Sequence, residues 1–217
     1  MKKKILIIVT NFLIVLIIVV LYALYRFNYI PHKKYTNEDF NIKTYISKTD
    51  KDNDGIDDQT DILNNVRNYI KTNPKYKSKY YSTGYPDDEY GVCTDVVAFG
   101  LKDAGYDLMQ LVNEDVKKHR EQYNIDTVDK NIDFRRVRNL KVYFDNNAIS
   151  LTTDINKTEE WQGGDIVVFD EHIGIVSDKR NRHGIPFVIH HAGTYQRFYE
   201  EDILEHRNDI IGHYRIS

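Results

Sequence analysis

An α+β fold is what this chain of 217 residues predicts: N-terminal helices packed on a C-terminal antiparallel β-sheet, with one apolar helix ahead of both. Three observations carry that expectation. Residues 5–25 are apolar except at Thr10 and Asn11. Through residues 60–144, apolar side chains recur at helical spacing behind capping residues. From Asp165 onward, four short runs rich in Ile and Val are separated by Gly, Asn, Asp and Arg, the pattern of strands and turns.

The first element is long enough to span a bilayer and longer than the apolar stretch of a signal peptide. Tyr22-Ala23-Leu24-Tyr25-Arg26 offers no small-x-small cleavage site, although a cleaved signal peptide is the alternative reading. Lys2, Lys3 and Lys4 precede the apolar run and Arg26 follows it, which predicts a single-pass anchor with a cytoplasmic N-terminus and the remaining chain outside. The expected organisation is an anchor over 1–26, a polar stalk over 27–49, an acidic loop over 50–61 and one domain over 62–217.

Within that domain, Thr60 can cap a helix from Asp61 that carries Ile62, Val66, Tyr69 and Ile70 on one face and stops at Asn73-Pro74. Residues 76–90 form a tyrosine-rich loop with a turn at Gly84-Tyr85-Pro86. A second helix starts at Cys93 and ends before Gly105. Asp107 caps a third, with Leu108, Leu111, Val112 and Val116 inward. Asp133 offers a cap for a fourth, with Val137, Leu140 and Phe144 inward. Strands are expected over 165–169, 172–178, 186–192 and 210–216.

The chain's net charge is −3. Setting aside Lys2, Lys3, Lys4 and Arg26, four of the 30 basic residues, leaves 26 against 33 acidic, a net of −7. With no basic face interleaved with aromatics, nucleic acid is excluded as an expected partner. The single cysteine, Cys93, cannot form an intramolecular disulfide.

Cys93 follows Tyr90-Gly91-Val92 at a helix start, where the partial positive charge of the helix end favours a thiolate. Downstream, His172 opens an apolar strand and His190-His191 close the next. A lone cysteine at a helix start with distant histidines on strands is the layout of a cysteine nucleophile and its base; a buried, inert thiol is the plainer alternative. The hairpin adds a geometric expectation. Antiparallel pairing about a centre near Arg182 sets Gly174 opposite His190 and places His190 on the same face as His172, within diagonal reach. His191 then points the other way, and a slip of one residue exchanges the two.

Several stretches resemble the papain-like cell-wall peptidases of the NlpC type. They are the Cys93 helix start, Trp161-Gln162-Gly163-Gly164-Asp165-Ile166-Val167-Val168-Phe169 and His172-Ile173-Gly174-Ile175-Val176. With Asn131-Ile132-Asp133-Phe134-Arg135-Arg136-Val137 and Gly212-His213-Tyr214-Arg215, the chain is similar more narrowly to domain-of-unknown-function family 1287, from about residue 60 to the C-terminus. Where NlpC-type enzymes usually follow the cysteine with Ser-Gly, this chain has Thr94-Asp95, so the resemblance bears on the nucleophile more than on the substrate. It implies a papain-like fold and a Cys93–His172–His190 site that hydrolyses amide bonds, with cell-wall peptides as substrate. Other acyl transfer on the same scaffold and a non-catalytic, calcium-stabilised wall-binding module are the rivals. The Cys93 N–H would supply one oxyanion donor and a loop tyrosine (Tyr81, Tyr85 or Tyr90) another. Tyr85, Tyr90, Arg135 and Arg136 form the expected substrate-binding set, since paired arginines suit the free carboxylates of stem peptides; a solvated helix face is the alternative for the arginines. Asp95, Asp165 and the other histidines (His32, His119, His183, His206 and His213) read as structural.

No organic cofactor is expected. Asp50-Lys51-Asp52-Asn53-Asp54-Gly55-Ile56-Asp57-Asp58-Gln59-Thr60-Asp61 has oxygen side chains at alternate positions around a glycine, the spacing of a calcium loop. Its expected ligands are Asp50, Asp52, Asp54, the Ile56 carbonyl, Asp58 and Asp61, in a structural role; a solvated acidic turn is the alternative. The oligomeric state is left open.

Overall fold

A computed structural model describes residues 2–217; Met1, the first residue of the expected anchor, lies outside them. The chain divides into two compact units, one ending at Lys33 and one spanning residues 34–217. The first is built on α1 (Lys2–Arg26), which buries none of its side chains and is long and apolar enough to cross a membrane.

In the second unit, residues 34–49 pack on the domain. Tyr35 exchanges two 2.9 Å backbone hydrogen bonds with Arg180, the Tyr45 N–H donates to Gln162 Oε1 (3.1 Å), and the Tyr45 hydroxyl donates to the Ser217 carbonyl (2.8 Å). The expected stalk is therefore part of the domain from Lys34. Its attachments run to single groups on distant segments, which no sequence period reports.

The Asp57 carboxylate, accepting the Thr60 N–H, caps α2 (Asp58–Ile70), which begins three residues before the expected start. Side chains at both Asp57 and Thr60 can cap, and Ser47 decides between them by donating its N–H to Asp57 as well (2.9 Å). After β1 (Lys75–Tyr76) and β2 (Tyr90–Gly91), which pair in parallel, comes α3 (Cys93–Asp103). Gly100 lets α3 lie close on α2: a Cβ there would stand 2.2 Å from Val66 Cγ2. Gly105, at φ +84°, ends α3 in the left-handed conformation. Asp107 caps α4 (Leu108–Lys118), as expected. Asp133 does not cap a following helix. It closes the short α5 (Lys130–Asp133) by accepting the Asp129 N–H (2.8 Å), while Asp129 caps that turn, and α6 (Val137–Asn147) starts without a side-chain cap.

One six-stranded antiparallel sheet follows in the order β3-β8-β4-β5-β6-β7. The four expected strands are β4 (Ile166–Phe169), β5 (Ile173–Arg180), β6 (Pro186–Ile189) and β8 (Ile210–Arg215). The edges, β3 (Ile149–Ser150) and β7 (Glu200–Glu201), have two residues each, too few to show alternation. Both faces of the central strands are buried. Ile166, Val168, Ile173, Ile175 and Ile189 meet Ile62, Val66, Val97 and Leu101 of the helices. Val167, Phe169, Val176 and Val188 meet Trp161, Ile185 and Leu204 on the opposite side. Residues 34–217 are α+β, with α2, α3, α4 and α6 sharing one core on one face of the sheet.

Candidate active site

Cys93 is the first residue of α3 and is half-buried. The turn before it is held from three directions. Gly91 pairs with Tyr76, and the Tyr69 hydroxyl presses so close to Gly91 that a Cβ would lie 2.2 Å from it. The Asp95 carboxylate reaches back to accept the Val92 N–H (2.8 Å). Asp95, fully buried, also takes both arms of Arg135, Nε at 2.6 Å and a terminal nitrogen at 2.9 Å. Arg135 donates further to the Lys79 carbonyl (2.6 Å).

The backbone N–H groups of Ile173, Thr94 and Cys93 itself face the thiol. Each favours a thiolate, yet burial outweighs them and pushes the thiol up to about 11. This reverses the lowering expected from the helix start alone. His172 stands immediately before β5, next to the Ile173 amide that meets the thiol. Its Nε2 lies 2.9 Å from His190 Nδ1, with the two rings nearly perpendicular. Burial, then the neighbouring His190 and Arg207, hold His172 down to about 3; burial likewise holds His190 down to about 3. Both imidazoles are neutral at neutral pH.

The β5–β6 pairing explains the histidine contact. Ile175 faces Ile189 and Val176 faces Val188, the register expected from a centre at Arg182, and it slips only further along, where Arg180 faces Pro186. His190 therefore meets His172. His191 turns away between the rings of Tyr76 and Tyr199, at 5.2 and 5.1 Å, and its Nδ1 is buried without a partner.

Two of the four expected substrate-binding residues are structural. Tyr85 is a core residue whose hydroxyl donates to Asp107 (2.8 Å), and Arg135 is spent on Asp95. Tyr90 lies partly open with Lys77 and Lys79 over its ring, each at 5.1 Å, and Arg136 is exposed. Of the three loop tyrosines, Tyr81 joins Tyr85 in being engaged, donating to Asp88 (2.7 Å). Tyr69 is the tyrosine that touches the Cys93 turn. It sits at helical spacing on α2, where it reads only as a core residue.

Sequence reasoning also missed Glu201, whose carboxylate lies 3.2 Å from His190 Nε2. Its strand is too short for any pattern to single it out. Asp165 and His213 lie elsewhere and are structural. Asp165 accepts from Arg215 (2.7 and 2.8 Å), Gln59, the Gln162 amide and His213 Nε2 (3.0 Å), and the His213 ring stacks on Trp161 at 3.7 Å.

In the acidic loop, Asp50, Asp52 and Asp54 bring one ligand oxygen each within 4.8 Å of one another. Asp61 is not one of these three; burial, and after it the carboxylates of Asp54 and Asp52, raise it to about 6. Asp58 is not one of them either. It accepts from the Thr49 and Tyr106 hydroxyls and the Lys51 N–H, because the early start of α2 turns it toward the domain.

The chain thus combines an α+β domain with a half-buried helix-start cysteine and two hydrogen-bonded histidines, His190 buried and His172 half-buried. It belongs to the family described as a domain of unknown function, DUF1287, whose profile matches residues 63–216. Over 151 residues it is 38% identical to "Uncharacterized protein YijF" of Escherichia coli (strain K12), a match covering 65% of this chain and 72% of that protein. No solved structure matches it.

Proposed function

We propose that this protein is a membrane-anchored cysteine hydrolase of papain-like architecture that cleaves amide bonds in cell-wall peptides outside the cytoplasm. The observation that carries the proposal is the 2.9 Å contact between His172 Nε2 and His190 Nδ1, directly beside the backbone amide that faces the Cys93 thiol. A cysteine, a histidine and a third group on the far ring nitrogen are the parts of a nucleophile–base–orienter set.

The chemistry follows from the neutral resting pair. As Cys93 Sγ bonds to the carbonyl carbon, its proton passes to His172 Nδ1, the ring nitrogen not turned to His190. The oxyanion is met by the backbone N–H groups at the start of α3, which lack intrahelical acceptors. His172 then returns the proton to the leaving nitrogen as the C–N bond breaks, giving a thioester. Water attacks the thioester, its proton going to His172, and the acid leaves as the thiol reforms. Buried neutral groups avoid the cost of a desolvated resting ion pair.

Lys2, Lys3 and Lys4 ahead of α1 support an orientation with the domain outside, where peptide stems are the abundant amides. The convergence of Asp50, Asp52 and Asp54 supports a structural calcium ion in the loop that leads into α2, with Asp61 feeling the charge of two of them. Incubating purified peptidoglycan with residues 34–217, and with the same fragment carrying Cys93→Ala, tests the function. Mass spectrometry should find new amine and carboxyl ends only with the parent. Transfer products instead would favour the acyl-transfer rival, and binding without cleavage the wall-binding one.

A further inference from the structure

We infer that Glu201 is a positioning residue for this site, setting through His190 which nitrogen of His172 is free to act as base. The inference rests on the hydrolase reading for its consequence, but its geometry stands apart from any substrate. A strand alternates faces, and β7 uses both. Glu200 turns to Arg67 (3.0 Å) and the Ser177 hydroxyl (2.5 Å), while Glu201 turns to His190 Nε2 (3.2 Å). β7 is brought there by β6, on which Val188 faces Glu201 and Ile189 faces Glu200. The His190 N–H, donating to the Tyr199 carbonyl (2.8 Å), continues the attachment. His190 and Glu201 are both buried, so neither exchanges this contact for bulk water.

The consequence is a sequence of forced choices. A carboxylate only accepts hydrogen bonds, so the His190 nitrogen facing Glu201 must carry the proton. A neutral imidazole has one N–H, so His190 Nδ1 is then an acceptor. The nitrogen 2.9 Å from it, His172 Nε2, must donate and carries the His172 proton. His172 Nδ1 is left with its lone pair free. Gln196 could impose the opposite arrangement, because its amide nitrogen lies 3.4 Å from His190 Nε2. That nitrogen has nearer acceptors in the carbonyls of Phe198 (2.8 Å) and His190 (3.2 Å), and its two hydrogens are used there. Glu201 therefore decides the tautomer, as a carboxylate behind a catalytic histidine does in the serine-protease arrangement, here acting across one more ring.

The test reads tautomers directly. Full-length protein labelled with nitrogen-15 at histidine, in detergent micelles, is examined by long-range proton–nitrogen correlation at neutral pH. His190 and His172 should each show a protonated Nε2 and an unprotonated Nδ1. Glu201→Leu should turn both into mixtures and slow release of peptide ends from purified peptidoglycan at least tenfold, chiefly in turnover rate. Glu201→Gln, whose carbonyl oxygen can still accept, should restore the single tautomer. A wild-type His190 protonated at Nδ1 overturns the inference, and so do unchanged tautomers in Glu201→Leu. Should that variant fail to fold, the wild-type and Glu201→Gln spectra decide alone. Inert peptidoglycan with the stated tautomers would refute the hydrolase reading while supporting the role of Glu201.

Discussion

Replacing Arg135 separates its structural role from the substrate-binding role that its sequence context invites. The guanidinium lies on fully buried Asp95 through two hydrogen bonds of 2.6 and 2.9 Å and donates a third to the Lys79 carbonyl. Arg135→Met keeps most of the aliphatic stem and removes all three. Asp95 then retains the Val92 N–H and loses its counter-charge. Removing one partner of a buried ion pair costs roughly 3–5 kcal/mol, because the remaining charge has lost its solvation and its partner. For a domain of this size each kcal/mol lowers the melting temperature by about 2–4 °C, so a fall of roughly 6–20 °C is expected for residues 34–217. Asp95→Asn combined with Arg135→Met should recover much of the loss, since no charge is left buried. Arg135→Lys should recover little, because an ammonium cannot span both carboxylate oxygens. Differential scanning calorimetry at pH 7 makes the measurement. An Arg135→Met domain that melts within about 1 °C of the parent while binding substrate more weakly would refute the argument.

Four further outcomes are expected. Iodoacetamide should modify folded Cys93 slowly at pH 7 to 8.5 and faster toward pH 11, whereas the urea-unfolded chain reacts at ordinary thiol pH; a folded profile that levels off below pH 8.5 would mean the helix start and His172 outweigh burial. His172 and His190 have depressed folded pKa values, so the unfolded chain takes up their protons first. Their contribution to stability is present above about pH 6.5 and lost as pH falls toward 3, and urea titrations should show a flatter acid limb in His172→Gln/His190→Gln. Gly91→Ala should destabilise by about 1–3 kcal/mol by driving a methyl onto the Tyr69 hydroxyl, and adding Tyr69→Phe should relieve it, because the nearest remaining ring atom is 3.5 Å away. Millimolar calcium should raise the melting temperature and magnesium less so; Asp52→Ala with Asp54→Ala should abolish the rise and Asp58→Asn should not, whereas equal melting curves with calcium and chelator would mark the loop as an acidic turn.

The sequence by itself determined what local chemistry and periodicity control. A run of apolar residues defines α1 whatever surrounds it, and Asp107 and Gly105 bound their helices with their own backbone partners. The β5–β6 register was legible because a strand has period two and the turn sets the centre, and that was enough to choose His190 over His191. Tertiary structure decided everything that depends on what lies across space. Arg135 has the same covalent chemistry on a solvated face as against Asp95, and only burial assigns it. Asp58 and Asp61 sit three residues apart in one motif, yet the early start of α2 sends the first to Thr49 and Tyr106 and leaves the second by the loop. The Cys93 thiol follows the same logic: the helix end that favours its charge is local and readable, while the burial that opposes it comes from the sheet folded over it and prevails. Glu201 is the extreme case, a carboxylate in a two-residue edge strand whose meaning lies wholly in the ring that β6 places beside it.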